Sequence, residues 1–123
     1  MNEKIGQIIR EIRNEKGISL RKLAEIVGVS NVNILYIEKG KINTSLPVLK
    51  GIAKALNYNI DKLLSFANMI DDDIKSIINK RPVLITNFLR AAKNFTNNDW
   101  KILTEQILNN ELNLNNDTRT RNV

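Results

Sequence analysis

ISLRKLAEIVGVSNVNILYIEKG, residues 18–40, holds two short amphipathic helices separated by a tight turn at Gly28, Val29 and Ser30. Ser19 stands before the first and offers its oxygen to an otherwise unpaired backbone N–H, while Leu20, Leu23, Ala24 and Val27 recur at helical spacing. Ala24 is small, as a close helix crossing requires. Gly28 ends this helix, Val29 turns inward, and Ser30 caps the next, in which Ile34 and Ile37 form the inward pair. Asn31, Val32, Asn33, Leu35 and Tyr36 are left pointing elsewhere. Val32, Leu35 and Tyr36 are poor choices for a surface that meets no partner.

The flanking segments extend the same logic. Ile5, Ile8, Ile9 and Ile12 mark one face of a first helix that stops at Gly17. Gly40 closes the third helix, and Lys41 to Thr44 form a loop. Ser45 caps a fourth, with Pro47 in its first turn, where the missing N–H does no harm, and Leu46, Leu49, Ile52, Ala53 and Leu56 as its core stripe. Asp61 is expected to begin a short fifth helix through Leu63, Leu64 and Phe66. Residues 1–67 thus read as one compact domain.

A second unit is expected over residues 68–112. Asp71, Asp72 and Asp73 lie where a helix start favours negative charge, followed by an apolar stripe of Ile70, Ile74, Ile77 and Ile78. Arg81-Pro82 breaks that helix, because a residue before proline is pushed away from helical geometry. Pro82 opens another helix, bearing Phe88, Leu89, Ala92 and Phe95, and Thr96-Asn97-Asn98 caps a last one with Trp100, Leu103, Ile107 and Leu108. Their spacing favours a core or helix–helix contact over a ligand pocket. Three such helices bury little by themselves, so packing against a second copy is expected. Residues 113–123 are polar and aperiodic and read as a disordered tail.

Composition narrows the chemistry. The chain has no cysteine and no histidine, which removes disulfides, thiolate nucleophiles, histidine bases and nearly all zinc or haem ligation. No metal site, cofactor or catalytic residue is expected, and an enzyme is the least favoured class. The three consecutive aspartates project in different directions without a glycine-bearing loop, so they read as helix capping. No apolar run is long enough for a membrane span, and the charged N-terminus lacks a signal-peptide pattern, so a cytoplasmic location is expected. A net charge of +6 favours anionic partners. Residues 1–67 hold eleven basic and six acidic side chains, +5, whereas residues 68–123 hold eight and seven, +1. The partner-facing charge is therefore N-terminal.

Two crossing helices joined by such a turn make a helix-turn-helix, with the second helix expected in the major groove of DNA. Over residues 5–66 the ordered set IG, IR before the first glycine, LAE followed by GVS, IEKG and IAKAL resembles the Cro/CI-type, or xenobiotic-response-element-type, domain of phage and bacterial repressors. The resemblance implies an all-α fold, a five-helix lambda-repressor-like DNA-binding domain followed here by the three-helix unit. It implies base contacts from Asn31, Val32 and Tyr36, with Asn31 suited to adenine and Val32 to a thymine methyl. Phosphate contacts fall to Ser19, Ser30, Asn33, Lys39, Lys41 and Asn43, and Arg13 with Glu38 corresponds to an ion pair tying the first helix to the third. Where many members carry glutamine at the second position of the second helix, this chain has Leu20, and Arg21 is the expected replacement for phosphate contact.

The expectation is a transcriptional regulator of the repressor type, acting as a homodimer or higher oligomer on double-stranded DNA through a pseudo-palindromic operator. Two further readings stay open: an antitoxin-like autoregulator whose C-terminal helices bind a protein partner, and a regulator sensing a ligand near Trp100.

Overall fold

A computed structural model of the chain describes residues 2–112 and Leu114. The disordered tail expected over residues 113–123 lies outside the described residues, Leu114 apart. Eight α-helices run in order: α1 (Asn2–Glu15), α2 (Leu20–Val27), α3 (Asn31–Glu38), α4 (Leu46–Ala55), α5 (Ile60–Ser65), α6 (Asp72–Lys80), α7 (Pro82–Ala91) and α8 (Asn97–Leu108). There is no strand among the described residues, so the fold is all-α as the periodicity predicts.

Hydroxyl caps set the helix starts. Ser19, Ser30 and Ser45 accept from the backbone N–H three residues on, and Thr96 and Asp99 bond reciprocally at the start of α8. One start departs from expectation. Asn59 caps α5, its side-chain oxygen accepting from Lys62 N at 2.9 Å, so the helix begins at Ile60, one residue before Asp61.

The chain divides into two compact units, residues 1–79 and residues 80 onward. In the first, Ile5, Ile9 and Ile12 of α1, Leu23 and Ala24 of α2, Ile34 and Ile37 of α3, and Leu49, Ile52 and Ala53 of α4 bury together with Leu56, Leu63 and Leu64. Burying the leucine and isoleucine side chains contributes roughly 1.5–3 kcal/mol each. Gly6 lets α1 press onto the end of α3: a Cβ there would meet the Ile37 carbonyl oxygen and lie 2.6 Å from that of Glu38.

Contacts with this core continue past α5. Ala67 and Met69 pack against it, and Asp71, itself buried, takes Lys50 Nζ of α4 at 3.2 Å. Asp71 also accepts from the Asp72 N–H at 2.7 Å, which starts α6. Its carboxylate therefore meets the first N–H of α6 and holds that helix start to α4.

The second unit is a helical pair, α7 and α8, with a Phe88–Trp100 ring contact at 6.3 Å and Phe95–Trp100 at 5.1 Å, both edge-to-face. Ala92 is its one buried residue among those described, at 2% exposure. Val83, Leu84, Phe88, Leu89, Ile107 and Leu108 remain exposed. No described helix is long and apolar enough to cross a membrane.

Candidate nucleic-acid interface

The candidate surface is built on α2 and α3. Gly28 adopts φ +85°, a left-handed conformation that stops α2 and sends the chain back into α3 within three residues. Ile34, Ile37 and Glu38 are buried, which orients α3 about its axis. Val32 and Tyr36, one turn apart, consequently stand on the opposite side, 54% and 42% exposed. Asn31 is exposed beside them, while Asn33 and Leu35 flank the stripe half-buried. Large apolar groups so displayed next to an amide suit a surface that reads both methyl groups and hydrogen-bonding edges.

The helix starts supply the second part. Ser19 Oγ accepts from Lys22 N and Ser30 Oγ from Asn33 N, both at 3.0 Å. Each hydroxyl keeps its own proton to donate, and each helix start carries partial positive charge, so both are chemically suited to an anionic oxygen. Arg21, Lys39, Lys41 and Asn43 are all exposed. Lys39 caps the end of α3, and the Lys41 N–H bonds back to the Tyr36 carbonyl at 2.9 Å, fixing the start of the loop after it.

Arg13 and Glu38 are joined across α1 and α3. Arg13 Nε donates to Glu38 Oε2 at 2.7 Å, a second guanidinium nitrogen donates to Oε1 at 3.0 Å, and the third donates to the Ile18 carbonyl at 3.0 Å. The side chains are 12% and 4% exposed. Hydrogen bonding to Glu38 raises the Arg13 pKa above its ordinary value, against desolvation by burial, which lowers it. The pair does structural work on three segments at once: α1, the turn before α2 and the end of α3.

Beside that pair lies a concavity of about 240 Å³ lined by Arg10, Arg13, Leu20, Leu35, Glu38 and Lys39. Leu20 is half-buried and packs against the core. Arg10 is the one member that the sequence pattern gives no sign of, because it sits among alternating charges on the outer side of α1. No group of acidic side chains among the described residues is placed to hold a metal ion.

This arrangement of α1 to α5 has known counterparts. The helix-turn-helix family matches residues 9–63. An HTH-type transcriptional regulator of Archaeoglobus fulgidus is 41% identical over 58 residues, which are 47% of this chain and 83% of that protein. The chain belongs to the Cro/CI-type helix-turn-helix family. It is also similar to the control protein C.SmaI of Serratia marcescens, at 35% identity over 65 residues, 53% of this chain and 77% of that one. Among solved structures, the clp gene regulator ClgR of Corynebacterium glutamicum aligns at 31% identity with a TM-score of 0.50, covering 55% of this chain and 87% of that one. Like its helix-turn-helix relatives the protein is a DNA-binding transcriptional regulator, and the family is not enzymatic.

Proposed function

We propose that the protein is a repressor that binds a pseudo-palindromic duplex site as a homodimer, with α3 of each copy in the major groove. In this reading Asn31, Val32 and Tyr36 meet base edges, while Ser19, Arg21, Ser30, Asn33, Lys39, Lys41 and Asn43 hold phosphates. Residues 1–67 act as the DNA-binding domain and residues 68–112 as the oligomerisation unit. Recognition helices of two copies then fall one duplex turn apart, about 34 Å, and repression follows from occlusion of the promoter.

The observation that carries the reading is the exposed Val32–Tyr36 stripe beside Asn31, set between two serine-capped helix starts and a pair of exposed lysines. A merely solvated helix face would not display these apolar groups. The dimer is supported by α7 and α8. Their eight large exposed apolar residues present at most about 900 Å², taking for each the roughly 200 Å² of an aromatic side chain and its fractional exposure. A standard interface takes about 800 Å² from each partner. Residues 68–112 carry six basic and six acidic side chains, so two copies meet without net repulsion.

The same apolar surface favours, as a second reading, an antitoxin-like regulator that covers it with a different protein. Sedimentation of the purified chain separates the two: a concentration-dependent dimer supports the first, and a strict monomer supports the second.

Substitution tests the groove assignment. Asn31→Ala should cost about 1–3 kcal/mol at one position of a selected site and leave binding to unrelated duplex nearly intact. Lys41→Ala should weaken every sequence alike and flatten the salt dependence. An equal loss on all sequences for Asn31→Ala would remove it from the base-reading set.

A further inference from the structure

The departure at Leu20 has a counterpart on α1. Leucine cannot donate a hydrogen bond, so Leu20 itself offers an anion nothing at the start of α2. Leu20 instead shares a concavity of about 240 Å³ with Leu35, Arg10 and Lys39, over the Arg13–Glu38 pair. Charge there is unbalanced. Three cations and one carboxylate line the space, and Arg13 holds both oxygens of that carboxylate. Arg10 and Lys39 are exposed and have no ion pair among the described residues.

We propose that this concavity is a sugar-phosphate subsite of the DNA interface, a deoxyribose packing on Leu20 and Leu35 while Arg10 and Lys39 hold its phosphate. The inference rests on the DNA-binding pose proposed above, and it assigns Arg10 a contact that the helix-turn-helix itself does not supply. The chemistry fits the occupant: a phosphodiester presents an anionic oxygen pair joined to a largely apolar ring. Arg10 suits the anionic end because its planar fork can donate two parallel hydrogen bonds to phosphate. The site is also continuous with the rest of the surface, since Leu20 begins α2 immediately after the Ser19 cap and Leu35 adjoins the Val32–Tyr36 stripe. A structural alternative exists in the same place: a cation near the end of α3 would stabilise its partial negative charge without touching DNA.

Fluorescence anisotropy of the full chain on a mixed-sequence duplex, with salt raised from about 50 to about 200 mM, distinguishes these. Wild type should bind with a steep salt dependence. Arg10→Ala should lose about 0.9 of the slope of log affinity against log salt, so its deficit relative to wild type narrows roughly 3.5-fold over that four-fold range. Arg10→Lys should keep most of the slope, and thermal unfolding of Arg10→Ala should match wild type. An unchanged slope on a duplex that wild type binds overturns the subsite and leaves the DNA reading standing, whether or not the melting temperature falls. Failure of wild type to bind any duplex overturns both.

Discussion

Breaking the Arg13–Glu38 pair should cost more than any surface substitution in the first unit, and the cost should belong to the pair. Glu38→Ala leaves two guanidinium N–H groups without their partner on a side chain 12% exposed, and Arg13→Ala strands a carboxylate at 4% exposure. Removing one member of a buried ion pair typically costs about 3–5 kcal/mol. Arg13 lies close enough to the surface to recover some hydration, so the lower end, about 3 kcal/mol, applies to Glu38→Ala. Arg13→Ala should cost about the same or slightly more, because it also abandons the Ile18 carbonyl. For a domain of this size, about 3 kcal/mol corresponds to roughly 12–24 °C in Tm. The double alanine variant leaves neither charge stranded and should fall well short of the sum, giving a coupling of about 2 kcal/mol. Urea unfolding of the four proteins, followed by far-ultraviolet circular dichroism, measures each term. Additive losses, with a coupling below about 0.5 kcal/mol, would refute the claim that this pair locks α1 to α3.

Other consequences are equally direct. Gly6→Ala should destabilise the first unit by more than about 1 kcal/mol in the same assay, because the added methyl meets the Ile37 and Glu38 carbonyls, which are backbone and cannot swing away. Ser30→Ala, which removes the cap of α3, should cost about 1 kcal/mol of stability and also weaken duplex binding; full affinity in a folded variant would exclude the hydroxyl from the interface. Trp100 reports on the second unit, since Phe88 and Phe95 lie against its ring edge-to-face. Its emission should shift to longer wavelength on dilution if a second copy covers it, and a spectrum independent of concentration would oppose the proposed dimer.

Where the chain signals its own structure locally, the sequence is a good guide. Ser19, Ser30, Ser45 and Thr96 each cap the helix their position announces, because a cap is settled within four residues. Ile34 and Ile37 face inward, and that alone turns Val32 and Tyr36 outward. Asn59 is harder to read. It and Asp61 are both of residue types that cap helices, and the structure uses Asn59. Contacts between distant segments leave still less trace. Lys50 and Asp71 lie 21 residues apart, and nothing in the spacing of either says that the start of α6 is held to α4. Periodicity marks which face of α6 to α8 is apolar and says nothing of what covers it, and Ile74, Ile77, Leu84 and Leu108 are exposed in the single chain. Arg10 is silent for a related reason: its setting is made with residues of α2 and α3, while in sequence it is one of several charges spaced between the isoleucines of α1.

Selection of bound sequences from a randomised duplex pool by the full chain examines the groove reading as a whole. Enrichment of a pseudo-palindrome is expected, its half-sites centred about 10 base pairs apart, with one position in each half-site losing its preference when Asn31→Ala replaces wild type. Recovery of no preferred sequence, or of one whose every position is indifferent to substitution at Asn31, Val32 and Tyr36, would contradict that reading.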